Sequence, residues 1–318
     1  MMRRFLIDTD CASDDAVAII MALKSKEIKI EAITTVCGNV SLNMATRNAL
    51  MSIEVAKGQT PPLYVGCEKP LVKDLVMSSH IHGKDGMSDL NLINTTITPE
   101  KEHAIDAIIE IVSKHPNEIE IIALGPVTNI AKAIMKNPAV MKKVKHIYSM
   151  GTAGFGKGNI TPVAEFNVYV DAEAYDIMLK AEIATTIIGF DMCLHEAALN
   201  KAEVDILLSS GNEAAIFAVN CNKCVLEHSF KHSGDYLIAL PDAIAMGVAL
   251  WDDLMTVSLQ CFCNTCTTDP VAYGQVVVDA ASLNSFCDIA QSKKGLALVC
   301  KEINTKMFKD RLLKALLS

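Results

Sequence analysis

Asp8-Thr9-Asp10-Cys11-Ala12-Ser13-Asp14-Asp15 follows the apolar run Phe5, Leu6, Ile7 and precedes a run that reads as helix, Ala16 to Leu23. Four carboxylates therefore fall within eight residues, where a strand gives way to a helix. Open α/β sheets bind ligands outside the carboxyl ends of their strands, so this spacing puts negative charge on the binding rim. Like charges at that density repel unless a cation lies among them. Oxygen-only ligands suit a hard cation such as Ca²⁺ or Mg²⁺. Helix capping with an acidic first turn accounts for Ser13 or Asp14. It leaves Asp8 and Asp10, at the strand end, unexplained.

The rest of the chain alternates in the same way. Strand-like runs cover residues 4–8, 28–36, 63–65, 118–124, 145–150 and 184–190. Helical runs begin at Asp14, Leu42, Glu102 and Val127, and further ones cover 172–181, 201–208, 213–230 and 243–250. Ile121-Ile122-Ala123-Leu124 is continuously apolar, as a strand buried on both faces should be. Strand–helix alternation predicts an α/β fold, a mostly parallel sheet with helices on both faces. No long Pro/Ser linker, low-complexity run or repeat divides the chain, so residues 1–318 are expected to form a single domain.

The 318 residues are 51% hydrophobic and 21% charged, with a net charge of −8. That length and composition suffice for a large core. The acidic balance argues against nucleic acid or an anionic membrane surface as partner. No apolar run approaches the length of a membrane span, and too few apolar residues follow Met1-Met2-Arg3-Arg4 for a signal-peptide core. A cytoplasmic setting is expected, in which the 11 cysteines are reduced thiols. Cys261, Cys263 and Cys266 form a C-x-C-x2-C cluster, and Cys221 and Cys224 a C-x2-C. Neither has regular zinc-finger spacing, and cysteine is among the most buried residue types, so both read as core thiols.

Polar residues recur at the other strand ends. Gly38-Asn39 follows the second strand, Gly125-Pro126-Val127-Thr128-Asn129 the buried one, and Gly151 follows Met150. Asp191 follows the strand near Ile183, and Asp242 precedes a late helix. Each alone is an ordinary turn signal. On one rim of a parallel sheet they outline a polar pocket.

These segments, in order, resemble the inosine-uridine preferring nucleoside hydrolase family. The opening resembles its D-x-D-x-x-x-D-D motif, and Ile33-Thr34-Thr35-Val36-Cys37-Gly38-Asn39 the segment after it. His80-Ile81-His82-Gly83-Lys84-Asp85-Gly86-Met87 resembles the family's H-x-H-G-x-x-G-M loop. Gly125–Ala131 and Met150-Gly151 fit next, and Gly158-Asn159-Ile160-Thr161-Pro162-Val163-Ala164-Glu165-Phe166-Asn167 resembles its most specific block. Five ordered blocks make a far more specific signal than a lone motif.

The resemblance implies an enzyme that cleaves the N-glycosidic bond of ribonucleosides with water and one bound Ca²⁺. Asp10, Asp15 and Asp242 match the metal carboxylates, and the main-chain carbonyl of Leu124 the fourth protein ligand. Asp10 also matches the general base. Asp14, Asn39, Asn159, Glu165 and Asn167 match ribose contacts, with Met150 beside the sugar. His82 and Phe166 match positions near the base, His82 as a catalytic candidate. A small-molecule ribonucleoside is the implied partner, and a homo-oligomer, dimer or tetramer, is expected.

One position departs from the pattern. Where well-studied members carry a His before the late metal-binding Asp, implicated in protonating the leaving base, this chain has Pro241. The helical run before it offers His228 and His232, spaced i,i+4 on one face, as substitute acids or as a base-side wall, together with Lys231 and the weaker candidate His195. Two solvated histidines near a helix C-terminus are the alternative. The altered base side also admits a modified nucleoside such as queuosine as substrate, or a catalytically weak ribonucleoside-binding protein. A Mg²⁺-dependent phosphatase using Asp8 and Asp10 is a further class, but it gives the Asp14-Asp15 pair and the 159–167 block no role.

Overall fold

A computed structural model describes residues 2–92, 95–280 and 295–318. Ten strands make one sheet: β1 (Arg3–Thr9), β2 (Ile28–Thr35), β3 (Leu63–Val65), β4 (Glu100–His103), β5 (Ile119–Ala123), β6 (His146–Met150), β7 (Thr185–Ile188), β8 (Met255–Thr265), β9 (Val276–Asp279) and β10 (Leu296–Ile303). Their order is β4-β3-β2-β1-β5-β6-β7-β10-β8-β9. Every pairing from β4 across to β10 is parallel; β8 and β9 add an antiparallel edge. The expected mostly parallel α/β sheet is present.

The chain lays β2, β3 and β4 outward on one side of β1, then returns to place β5 on its other side. The β1/β5 boundary is thus the point where strand order reverses, and a crevice opens beyond the carboxyl ends of such a pair. The acidic stretch leaves β1 at that point, and Leu124-Gly125 leaves β5 beside it.

Alternation along β1 explains the two cores. Phe5 and Ile7 face one side and join the helices Ser13–Lys24, Leu42–Ala56, Glu213–Asn220, Pro241–Leu250 and Thr305–Leu317. Leu6 faces the other side, with the helices Ala104–Lys114, Thr128–Lys136 and Ala172–Leu179. Side chains in a strand point alternately to opposite faces, so one strand feeds both layers. The helix after the acidic stretch is buried on every side from Ser13 to Leu23. Its sequence, Ala-Val-Ala-Ile-Ile-Met-Ala-Leu, is apolar all round, as a helix enclosed by neighbours requires.

Three expectations need correction. The helix expected from Glu102 starts at Ala104, and Glu100–His103 pair as β4; the charged run Glu-Lys-Glu-His suits a sheet edge, where charge discourages further pairing. The expected strand over 184–190 ends at Ile188, and Phe190–Cys193 form a 3₁₀ turn. The helix expected over 213–230 is two, Glu213–Asn220 and Lys223–Ser233. Ser88 Oγ donates to the Cys221 carbonyl at 2.7 Å and accepts from the Cys224 N–H at 2.9 Å. A side chain from another segment takes over backbone groups at the break, a recognised cause of helix interruption.

The β1/β5 crevice depends on two residues without side chains. A Cβ on Gly38 would lie 2.0 Å from Asp10 Oδ2, and one on Gly125 2.5 Å from Asp10 Oδ1. Asp10 is wedged between the turns after β2 and β5, and only glycine leaves it room. Gly125→Ala is expected to destabilise the fold by about 1–3 kcal/mol, the usual cost of overpacking a close-packed site. Urea denaturation measures this directly; an unchanged midpoint would show that Asp10 has slack on that side.

Candidate active site

The acidic stretch resolves into carboxylates with separate tasks. Ala12 occupies the helix N-cap position. Asp15, three residues on, accepts the Ala12 N–H at 2.9 Å and the Thr9 hydroxyl at 2.5 Å. The capping expected of Ser13 or Asp14 is therefore supplied by Asp15, which reaches back as the acidic partner of a capping box does. Asp8 faces β2 and the helix after β5, accepting from Thr34 Oγ1 at 2.5 Å and Asn129 Nδ2 at 2.8 Å. It braces strand ends and does not line the cavity beyond them.

Asp10 is fully buried and accepts the Asn39 N–H on Oδ2 at 2.5 Å. Its Oδ1 has no partner, and neither do Asp14 Oδ1 and Asp242 Oδ1. Asp242 comes from the first turn of the helix Pro241–Leu250. One oxygen from each of Asp14, Asp15 and Asp242 lies within 4.8 Å of the others. Burial raises the pKa of Asp10, Asp15 and Asp242, and their mutual charges raise Asp10 and Asp242 further. Asp15 is pushed up to about 7, burial and the charge of Asp14 outweighing its hydrogen bonds. The expected metal set was Asp10, Asp15, Asp242 and the Leu124 carbonyl; the closest trio contains Asp14 in place of Asp10, while Asp10 presses its charge on Asp242 from alongside.

Buried carboxylate oxygens without partners are costly, and here several converge with no basic side chain among their hydrogen-bond partners. A divalent cation bound by oxygen satisfies them all at once. The donor set fits a hard cation. Among the described residues the cluster that could hold a metal ion is acidic. Cys261 and Cys263 are buried along β8, and Cys221 and Cys224 flank the helix break.

A cavity of about 390 Å³ opens beside these carboxylates. Asp14, Asn39, Met150, Asn159, Glu165, Phe166, Asn167 and Asp242 line it, as do His82 and His228. Asp10, Asp15 and Leu124 are wholly buried behind that lining. Asn167 Nδ2 donates to the Leu124 carbonyl at 2.9 Å and lies 3.3 Å from the Met150 sulfur. The Asn39 side chain accepts from Ser78 Oγ at 2.5 Å. Asn159 accepts the Phe166 N–H at 2.8 Å, pinning the loop before the helix Phe166–Val170. Glu165 caps that helix, accepting the N–H groups of Asn167 and Val168 at 3.0 and 3.3 Å. Burial holds its carboxyl at about 7 despite these bonds.

The histidines divide. His82 Nδ1 lies 2.8 Å from Ser13 Oγ and 4.0 Å from Asp14 Oδ1. Burial lowers its pKa against the pull of Asp14. His228 lines the cavity, whereas His232 is exposed and outside it, as is Lys231. His195 lines the cavity with a left-handed backbone, φ +55°. Pro241 lines it from the first turn of its helix. His80, Ser78, Phe190 and Leu194 also line it and were not expected to. His80 was legible in the same H-x-H pattern as His82. Phe190 and Leu194 follow β7, and a strand-end position was the only signal they carried.

Comparison with known proteins shows the family. The family model for inosine-uridine preferring nucleoside hydrolases matches residues 5–310. The inosine-uridine preferring nucleoside hydrolase of Leishmania major is 38% identical over 219 residues, 68% of this chain and 69% of that protein. Uridine nucleosidase 1 of Arabidopsis thaliana is 33% identical over 254 residues, 80% of this chain and 75% of that one. The solved structure of a plant nucleoside hydrolase matches with a TM-score of 0.94 at 27% identity, over 100% of both chains. A purine-preferring ribonucleoside hydrolase from Gardnerella vaginalis matches with a TM-score of 0.89 at 26% identity, over 99% of this chain and 98% of that one. No helix among the described residues is long and apolar enough to cross a membrane. With the carboxylates, the asparagines and the 159–167 block gathered around one cavity, the chain belongs to the inosine-uridine preferring nucleoside hydrolase family, enzymes that hydrolyse N-glycosyl compounds.

Proposed function

We propose that this chain is a Ca²⁺-dependent ribonucleoside hydrolase of nucleoside salvage, releasing ribose and a free nucleobase. The observation that carries this reading is the buried trio Asp14, Asp15 and Asp242, with one oxygen of each within 4.8 Å of the others, together with the buried oxygens Asp10 Oδ1, Asp14 Oδ1 and Asp242 Oδ1 that have no hydrogen-bond partner. Asp10, Asp15, Asp242 and the Leu124 carbonyl would hold the cation. When bound, it would supply a Lewis-acid charge that lowers the pKa of water and offsets the carboxylates' repulsion.

The chain's own residues do the rest. Asp10 is the general base: Asn39 N–H holds Oδ2, leaving Oδ1 to accept the proton of the attacking water. Asp14, Asn39 and Asn167 bind ribose hydroxyls. Asn167 is held by the Leu124 carbonyl and Asn39 by Ser78, so neither must be ordered when substrate arrives, which spares part of the entropy of binding. Departure of the base leaves positive charge on the ribose ring, and fixed carboxylates nearby stabilise that charge without reorganising. Met150 and Phe166 keep the sugar side apolar and exclude bulk water.

Asp10→Asn should lower kcat by about 10²–10⁴-fold, the usual worth of a general base, with circular dichroism unchanged. Turnover within about tenfold of wild type, roughly 1.4 kcal/mol of barrier, would assign the base elsewhere.

Ribosides should outrun their 2′-deoxy counterparts by about 10²-fold or more in kcat/KM, because a site built around a hydroxyl rejects the analogue that leaves its buried polar groups unpaired. Equal kcat/KM for uridine and deoxyuridine would remove the diol assignment.

The carboxylate pKa shifts set a sign for stability. Their folded values lie above the unfolded ones, so without metal the folded state binds protons more tightly than the unfolded chain. That stabilisation is present below the ordinary carboxylate value of 3.8 and is lost as pH rises toward about 7. In chelator the melting temperature should therefore fall across that window, and Ca²⁺, which binds the ionised carboxylates, should restore it progressively as pH rises. A chelated protein whose melting temperature is flat or rising across the window contradicts the buried-charge account.

A further inference from the structure

His228 stands half-buried on the cavity wall, on the helix Lys223–Ser233. His232, one turn on, stacks against it with ring centroids 4.0 Å apart and planes 26° apart. The stack is fastened at its outer member: His232 Nδ1 donates to the His228 carbonyl at 2.9 Å. The charged or titratable groups that act on His228 are His232 and Lys231 from its own helix and His80 from the short helix Ser79–His82. Burial and these neighbours lower its pKa below the ordinary 6.5.

Hydrolysis at this site needs a proton on the side away from the carboxylates. When the C1′–N bond breaks, its electron pair goes to the base, and a purine leaves poorly without a proton to take it up. Pro241, beside Asp242 on the cavity lining, has no proton to give. His82 has its Nδ1 engaged by Ser13 next to Asp14, at the carboxylate end. His80 and His195 line the cavity from exposed positions. His228 is the lining imidazole that a second ring holds from behind.

On the ribohydrolase reading above, we propose that His228 donates the proton to the departing nucleobase and that His232 positions its ring. The step balances. Water adds its hydroxyl to C1′ and yields its proton to Asp10; the C1′–N pair goes to the base nitrogen, which takes the proton of His228. Asp10 discharges to solvent and His228 recharges from it, so one water is consumed and ribose and neutral base are released.

The test is steady-state kinetics with Ca²⁺ on inosine, uridine and p-nitrophenyl β-D-ribofuranoside, whose phenolate leaves without a proton. His228→Gln keeps hydrogen-bonding capacity and has no proton to give at neutral pH. The ratio of inosine to p-nitrophenyl riboside kcat should fall about 10²-fold, the scale of general-acid help, with the smaller change in KM and an intermediate loss on uridine. In wild type, kcat for inosine should decline as pH rises through the lowered pKa of His228, and this dependence should vanish in His228→Gln. His232→Ala should lose part of the inosine rate, and His232→Phe, which keeps a stacked ring, should recover it. Equal losses on inosine and p-nitrophenyl riboside, or no loss on either, overturn His228 as donor. A Phe variant no better than Ala overturns the positioning role of His232. Wild-type protein that turns over none of the three ribosides overturns the ribohydrolase reading itself.

Discussion

The repulsion among buried carboxylates at the β1/β5 boundary is the constraint on which the rest of the structure depends. Asp10, Asp14, Asp15 and Asp242 are nearly or wholly excluded from solvent, where an isolated charge is expensive. The fold keeps them there by enclosing the helix Ser13–Lys24 on all sides and by clearing the space around Asp10 with Gly38 and Gly125. Such a cluster is tolerable when it is protonated or when it surrounds a cation. The same packing that raises these pKa values therefore makes a site that binds a dication by relief of repulsion.

Structural and chemical duties are shared among few side chains. Asp15 caps its own helix with the carboxylate that belongs to the acidic trio. Glu165 caps the helix Phe166–Val170 while lining the cavity, and that cap places Phe166 and Asn167. Asn167 in turn ties the carbonyl after β5 to Met150 at the end of β6. The cavity wall is therefore built from strand and helix ends, which rigid elements hold more accurately than free loops. The wall that carries His228 is built differently. The helix Lys223–Ser233 has no fully buried residue and contributes His228 to the lining through a stack of imidazoles. The polar floor and this helical wall of the cavity are thus built separately.

The strand-end carboxylates, glycines and asparagines were legible in the sequence because each depends on local chemistry. A strand must end before a helix can begin, and a parallel sheet brings such ends to one rim. Asp10, Asn39, Leu124 and Met150 lie at strand ends, where that argument puts them; Asn167, expected from the resemblance of the 159–167 block, lies in the helix Phe166–Val170. Residues whose place depends on long-range packing were not legible. The helix expected over 213–230 is broken by Ser88, more than a hundred positions away. His228 and His232 carry the same sequence signal, spaced one turn apart, yet only His228 reaches the cavity.

By itself the sequence determined the alternating α/β plan, the oxygen-rich character of the acidic cluster and the polar strand-end residues beside the cavity. These follow from periodicity and from residue types at strand ends, both written locally in the chain. Only the tertiary structure decided which carboxylates crowd one another, which oxygens stay without partners and which imidazoles face the cavity. Those depend on distances between segments far apart in sequence, set by how the helices pack around β1 and β5. Asp15 shows both levels: its position in the sequence fixes its reach back to the helix N-terminus, and the distant Asp242 brings the charge it must share.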